Sequence, residues 1–246
     1  MADVTYPPLD TPKPVADGVW IVDSGPQKVA GFIELPVRMT VVRLPDGGLW
    51  LHSPTRHSPA LQAALDALGP VRHLVAPNIA HWTHLKAWQQ AYPQAVTSAA
   101  PELRNRANVK KEGLRLDRDL HEPPPPEWAG TFEQVVVPGA GGFREVAFLH
   151  RPTRTLLLTD LLVNLEPEKL PAATRLFAKV NGMLAPNGGP PAYLRLMLRL
   201  KGAEAKAALA RVVAWAPERV VIAHGRWFER DGAGVVRRVF GDRFDR

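Results

Sequence analysis

Val71-Arg72-His73-Leu74-Val75-Ala76-Pro77-Asn78-Ile79-Ala80-His81-Trp82-Thr83-His84-Leu85 is the stretch on which the fold turns. Its apolar, β-branched opening predicts a strand over 71–75. Pro77 and Asn78 break that run, and a helical pattern follows near 81–91. A strand, a polar loop and a helix form the unit of an open α/β sheet, in which the loops after the strands converge and carry the chemistry. Two imidazoles stand in this loop. His81 and His84 are three residues apart, so both rings reach one side of the turn entering the helix, where the helix N-terminus tolerates hydroxide or an anionic substrate.

Two more apolar runs end the same way. Thr155-Leu156-Leu157-Leu158-Thr159 leads into Asp160, and Arg219-Val220-Val221-Ile222-Ala223 leads into His224. Three imidazoles and a carboxylate at strand ends suit a divalent metal of the zinc or iron type. The chain has no cysteine, which excludes disulfides and thiolate chemistry and leaves only nitrogen and oxygen ligands.

Upstream, strands are expected at Val19–Val22, Gly31–Glu34, Arg38–Leu44 and Leu49–His52, with Asp46-Gly47-Gly48 as a hairpin turn. Ser58-Pro59 caps a helix over Ala60–Leu68 that ends at Gly69-Pro70. Downstream, a strand at 95–98 precedes an Arg-rich helix near 101–107, and Pro123-Pro124-Pro125-Pro126 forms a stiff connector. Strands return at 133–137, 145–150 and 155–160. Helices follow near 168–184, 190–201 and 203–215, then the strand at 219–223 and a terminal strand near 235–240. Strands followed by helices, twice over, imply two packed sheets covered by helices. The expected class is α/β, a four-layer αββα sandwich forming one domain over 1–246, with residues 1–16 as a Pro-rich extended arm.

Composition narrows the function classes. A chain of 246 residues with 46% hydrophobic content can bury one large core. No apolar run reaches the roughly 18 residues of a membrane span, and the N-terminus lacks the basic flank and apolar stretch of a secretory signal; the expected location is cytoplasmic. The formal charge of +7 comes from scattered arginines and lysines. No recognition motif or aromatic-interleaved basic patch accompanies it, so nucleic acid is not an expected partner and a small-molecule substrate is.

The order of a His-rich loop, a Gly-rich loop before a strand, Thr-Asp closing a strand and a final His-Gly resembles the metallo-β-lactamase superfamily over nearly the whole chain. That family's first loop reads His-x-His-x-Asp-His, and Ile79-Ala80-His81-Trp82-Thr83-His84 is similar to it with Ile79 and Thr83 in place of the first histidine and the aspartate. Its Gly-His-Thr loop looks like Gly139-Ala140-Gly141, without the histidine. Its bridging aspartate looks like Asp160, and its last histidine looks like His224. The resemblance implies that one metal site keeps only His81 and the shared Asp160, while the other keeps His84, Asp160 and His224. Three ligands plus water suffice for a catalytic metal; a binuclear centre is not expected. The Asn-x-x-His-x-x-His loop, the Glu145 that follows a Gly-rich loop and Arg154–Leu161 resemble a domain-of-unknown-function branch of the superfamily.

Glu145 either supplies a carboxylate where the family histidine is missing or is a solvated charge at a strand start. Asn78 either points its amide at substrate or metal or turns the backbone after Pro77. His52 and His57 could line the cleft or serve ordinary loop roles; His150 stands with Arg151 at a strand end opposite the expected site face, and His73 and His121 read as structural or exposed. Tyr193–Lys201 carries arginines four apart among leucines. It reads as an outer helix packing its leucines on a sheet, with a membrane or partner surface as the alternative.

The function expected from these readings is hydrolysis of an ester, amide or phosphodiester by water activated on one divalent metal, with zinc the first choice and iron the alternative. Asp160 would also orient that water. The rival is a non-catalytic ligand- or partner-binding protein that kept the scaffold and holds no metal.

Overall fold

The computed structural model describes residues 3–242 apart from residues 30 and 32. Two sheets face one another. The first has seven strands in chain order: β1 (Lys13–Ala16), β2 (Val19–Val29), β3 (Ile33–Arg43), β4 (Leu49–His52), β5 (Val71–Ala76), β6 (Val96–Ala99) and β7 (Arg118–Asp119). Strands β1 to β4 are antiparallel neighbours, and β4 to β7 are parallel. The switch occurs where α1 (Pro59–Asp66), α2 (Leu85–Ala91) and α3 (Ala107–Glu112) enter the chain, because parallel neighbours need a crossover. The second sheet is β8 (Phe132–Pro138), β9 (Arg144–His150) and β10 (Thr155–Leu158) as an antiparallel meander, with β11 (Arg219–Ile222) parallel to β10. That last crossover contains α4 (Ala172–Asn181), α5 (Ala192–Lys201) and α6 (Ala203–Ala214); α7 (Gly232–Val236) follows β11.

Three apolar clusters make the layers. Trp50, Trp128, Phe132, Phe148, Leu157 and Val221 fill the space between the sheets. Leu61, Leu65, Leu85 and Trp88 pack α1 and α2 on the outer face of the first sheet. Leu194, Leu198, Ala205, Leu209 and Val212 pack α5 and α6 on the second. On α6 the buried positions 205, 208, 209 and 212 follow the helical repeat of a single apolar stripe. Ser58 caps α1 by accepting a hydrogen bond from the Leu61 N–H at 3.2 Å, with Pro59 opening the helix. The αββα order is therefore the expected one.

Three local expectations need correction. Residues 235–240 are helical rather than a strand: α7 runs on into a wider turn over Arg237–Asp242. Val235, Val236, Val239 and Phe240 are all buried, a spacing of one helical face, and the Asp231 side chain accepts from the Gly234 N–H at the helix start. The N-terminal arm is tied down, since Val4 packs against Leu165, Leu170 and Met183 and residues 13–16 pair with β2; positions 1 and 2 lie outside the described residues. Tyr193–Lys201 is two-faced: it buries Leu194 and Leu198 but leaves Tyr193, Leu196 and Leu200 exposed.

Candidate metal centre

The parallel strands all end on one edge, and the polar residues after β4, β5, β10 and β11 meet there. His81 Nε2 and His224 Nε2 each lie 3.4 Å from Asp160 Oδ1 and 3.3 Å from one another. The ligand atoms of these three residues all lie within 4.8 Å of one another.

The outer atoms of each residue are held by the protein. His224 Nδ1 is 2.8 Å from the Pro36 carbonyl; a carbonyl only accepts, so Nδ1 carries a proton and the ring is held with Nε2 facing Asp160. His81 Nδ1 is 2.6 Å from the Ser53 hydroxyl. Asp160 Oδ2 accepts from the Asn78 side-chain amide at 2.7 Å, which leaves Oδ1 to the two imidazoles. Asn78 Oδ1 in turn accepts from the backbone N–H of Ala80 and His81 at 2.8 and 2.9 Å, fixing the loop that carries His81.

Behind His224, the buried Arg38 side chain donates through Nη1 to the Ile222 and Gly225 carbonyls, both at 2.8 Å, and pairs with Asp23 at 2.6 Å. Gly225 has φ +92°, and a Cβ there would stand 2.1 Å from the Asn164 carbonyl oxygen. The backbone after His224 therefore admits only glycine, as the His-Gly pair in the sequence foreshadows.

Glu145 does not reach this cluster. It is the second residue of β9 and fully buried, and its carboxylate accepts from the backbone N–H groups of Thr159, Asp160 and Leu161, at 2.7, 2.9 and 3.2 Å, and from the Asn78 amide at 3.2 Å. All of these partners are donors. Glu145 thus splints the turn that presents Asp160, in place of the two roles weighed for it. Burial and the Asp160 charge push its carboxyl up to about 7, against the pull of the donors. Burial also acts against ionised Asp160, but the charge of His81 and hydrogen bonds from both imidazoles hold its carboxyl well below the usual range. For His224, burial is outweighed by the hydrogen bond and charge of Asp160, and its value is raised.

The remaining expected residues fall elsewhere. His84 lines the same cleft but lies outside the group of converging ligand atoms, which holds His81 in its stead; burial, with Arg56 and His81 nearby, lowers its value. His52 is buried, stacked on Trp50 at 5.5 Å, and His57 contacts Gln62 at 2.8 Å and the edge of Trp88; neither lines the cleft. Asn78 is fully buried, so it turns the loop and holds Asp160 rather than meeting substrate. Ser53, Pro36 and Arg38 were not singled out by the sequence, where a hydroxyl, a carbonyl and a strand arginine carry no local signature.

Above the cluster lies a cleft of about 170 Å³ with apolar walls from Val29, Leu35 and Val37 of the β2–β3 hairpin and from Tyr193 of α5. It adjoins a groove of about 500 Å³, with which it shares Gln27, Val37 and His84, and which Lys28, Arg56 and Asp10 also line.

A family model described as "Domain of unknown function (DUF4336)" matches residues 16–184, more than half of the chain and including His81 and Asp160. The chain belongs to the DUF4336 family. Among solved structures, this DUF4336 protein is similar to a metallo-β-lactamase from Pontibacter korlensis, with a TM-score of 0.62 at 13% identity over 92% of this chain and 95% of that one. The metallo-β-lactamase FIM-1 of Pseudomonas aeruginosa in its mono-zinc form matches with a TM-score of 0.59 at 14% identity, covering 99% and 98%. The metallo-β-lactamase of Hirschia baltica gives 0.58 at 12% identity, covering 92% and 94%. A search of curated proteins finds no match. The DUF4336 chain therefore has the metallo-β-lactamase fold, with a His/Asp group that could hold a metal.

Proposed function

We propose that this DUF4336 protein is a metal-dependent hydrolase with a single divalent ion, zinc first and iron as the alternative, held by His81, Asp160 and His224. The observation that carries the reading is the spacing of the three ligand atoms, 3.3, 3.4 and 3.4 Å. Ligands about 2.0–2.1 Å from a tetrahedral zinc stand about 3.3 Å apart, so the residues fit the ion without rearrangement. Each has an outer partner of the kind that orients metal ligands, namely Ser53, Asn78 and Pro36. All three residues line the cleft, which would leave room for a water or substrate beside the ion.

A metal bound there supplies Lewis acidity and a water acidified toward neutral pH. The chain's own residues do the rest. Asp160, fixed by Asn78 through Oδ2, would hold the ion through Oδ1 and so help to place a water beside it. The apolar walls exclude bulk solvent, which strengthens the charge interactions inside. Lys28 and Arg56 outnumber Asp10 along the adjoining groove and favour a substrate with an anionic group, such as a phosphodiester or an ester bearing a carboxylate.

Elemental analysis of protein purified without chelator tests this directly. About one metal per chain is expected, together with hydrolysis of bis(p-nitrophenyl) phosphate or p-nitrophenyl esters that disappears in Asp160→Asn. Failure to take up metal even after incubation with zinc or ferrous salts overturns the reading in favour of a metal-free binding scaffold.

A further inference from the structure

The exposed large apolar side chains among the described residues are Val29, Leu176, Phe177, Val180, Tyr193, Leu196 and Leu200. All of them lie on α4, on α5 or at the end of β2. These elements adjoin: α4 packs on both α5 and β3, the Glu34 N–H of β3 donates to the Thr174 hydroxyl of α4 at 3.4 Å, and Arg195 of α5 donates to the Asn181 carbonyl at the end of α4. On α4 the exposed set is 176, 177 and 180, while Thr174 and Ala178 face inward. On α5 it is 193, 196 and 200, while Leu194 and Leu198 face inward. Each helix thus has one apolar face on the core and a second turned to solvent. A monomeric protein seldom leaves its exposed apolar residues gathered in this way.

Charge indicates what covers the patch. The two helices carry Arg175, Lys179, Arg195, Arg199 and Lys201 and no acidic residue. Arg175, Lys179 and Arg199 are exposed, and the whole chain has a formal charge of +7. Leucine, phenylalanine and tyrosine interleaved with basic residues make up the composition of helices that lie in the plane of a membrane interface. A twofold contact with a second copy would bring this cationic surface against itself, whereas a bilayer containing anionic lipid complements it. No helix among the described residues is long and apolar enough to cross a membrane, so contact would be peripheral. Val29 and Tyr193 belong both to the patch and to the wall of the cleft.

We propose that α4, α5 and the Val29 end of the β2–β3 hairpin form a peripheral docking surface for an anionic lipid bilayer, with the mouth of the cleft at its border. The inference does not depend on the metal, because both the surface and its test can be read in metal-free protein.

Co-sedimentation with phosphatidylcholine vesicles, with and without about 30% phosphatidylserine, tests it in the full chain. Binding to the anionic vesicles is expected, weakened by added salt. The Leu196→Glu/Leu200→Glu double substitution, at side chains 58% and 70% exposed, should weaken it about tenfold or more while the circular dichroism spectrum and Tm stay at wild-type values. Lys179→Glu/Arg199→Glu, which keeps every apolar residue, should remove the preference for anionic vesicles. Equal sedimentation with and without vesicles overturns the proposal, as does full binding by the leucine double variant. A dimer in size-exclusion chromatography that the leucine substitutions split, without vesicle binding by the wild type, assigns the patch to a second copy instead.

Discussion

Asn78 donates its side-chain amide to Asp160 Oδ2 at 2.7 Å from a fully buried position. The contact decides which oxygen of Asp160 faces the imidazoles, and through Oδ1 the same Asn78 sets the backbone of the His81 loop. One residue outside the ligand group therefore positions two members of it. Asn78→Ala should weaken zinc binding about 10- to 100-fold and cost about 1–3 kcal/mol of stability by leaving buried groups unpaired. Competition with a chromogenic chelator and urea unfolding measure the two effects. Wild-type zinc affinity in Asn78→Ala would show that Asp160 is oriented by other means.

Glu145→Gln separates a splint from a ligand. Glutamine must turn an NH₂ group toward at least one of the N–H donors of Thr159, Asp160, Leu161 and Asn78. At pH 8 the substitution should cost about 2–3 kcal/mol, read as a lower urea midpoint, while the metal content stays at the wild-type value. A variant of unchanged stability that loses its metal would make Glu145 a ligand after all.

The placement of the site was legible in the sequence because strand ends are. Asp160 and His224 close apolar runs, and a chain that hides such runs in a sheet brings the residues after them to one edge. The choice between His81 and His84 was not legible, since both belong to one loop. Their roles diverge because Asn78 and Ser53 fix His81, while His84 heads α2. Glu145 was hidden for a different reason. Its environment is set by the pairing of Val137 with Glu145 and by the bridge between Asn78 and Glu145, contacts that no local pattern announces. Residues 235–240 show the ambiguity of a short apolar run: Val-Val and Val-Phe around two arginines suit a strand by composition, and burial at 235, 236, 239 and 240 makes them a helix.

Single replacements test the ligand set. His81→Ala, Asp160→Asn and His224→Ala should each leave two good ligands and reduce bound metal to well below one per chain after dialysis. His84→Ala should retain it, because that ring lies outside the converging group. Loss of metal from His84→Ala together with retention in His81→Ala would restore the set that the family resemblance implies.

Acid should destabilise the fold above the carboxylate range, through histidines buried between the sheets. Burial lowers His150 to about 4 and His52 to about 3, and lowers His73 as well. Both His52 and His150 stand edge-on to phenylalanine rings of that layer. The sign follows from the unfolded chain, whose imidazoles take up protons near pH 6.5 while the folded ones remain neutral, so unfolding absorbs protons and stability falls as pH drops from 6.5 toward the folded values. Each site contributes a slope of up to about 1.4 kcal/mol per pH unit in that window. Glu127, lowered to about 2 by Arg118, loses its contribution only below its unfolded value of 4.5, whereas Glu145, raised to about 7, and His224, also raised, take up protons in the fold above that value and act in the opposite sense, so the His150 contribution is read as a difference between a variant and the wild type. His150→Asn places an amide oxygen where Nδ1 meets the Thr153 hydroxyl at 2.7 Å and cannot titrate. Its stability at pH 8 should be lower than that of the wild type, and its loss between pH 6.5 and 4.5 shallower by about 1 kcal/mol per unit. Parallel stability curves for the two proteins across that window would mean that His150 is protonated as readily in the fold as in the open chain.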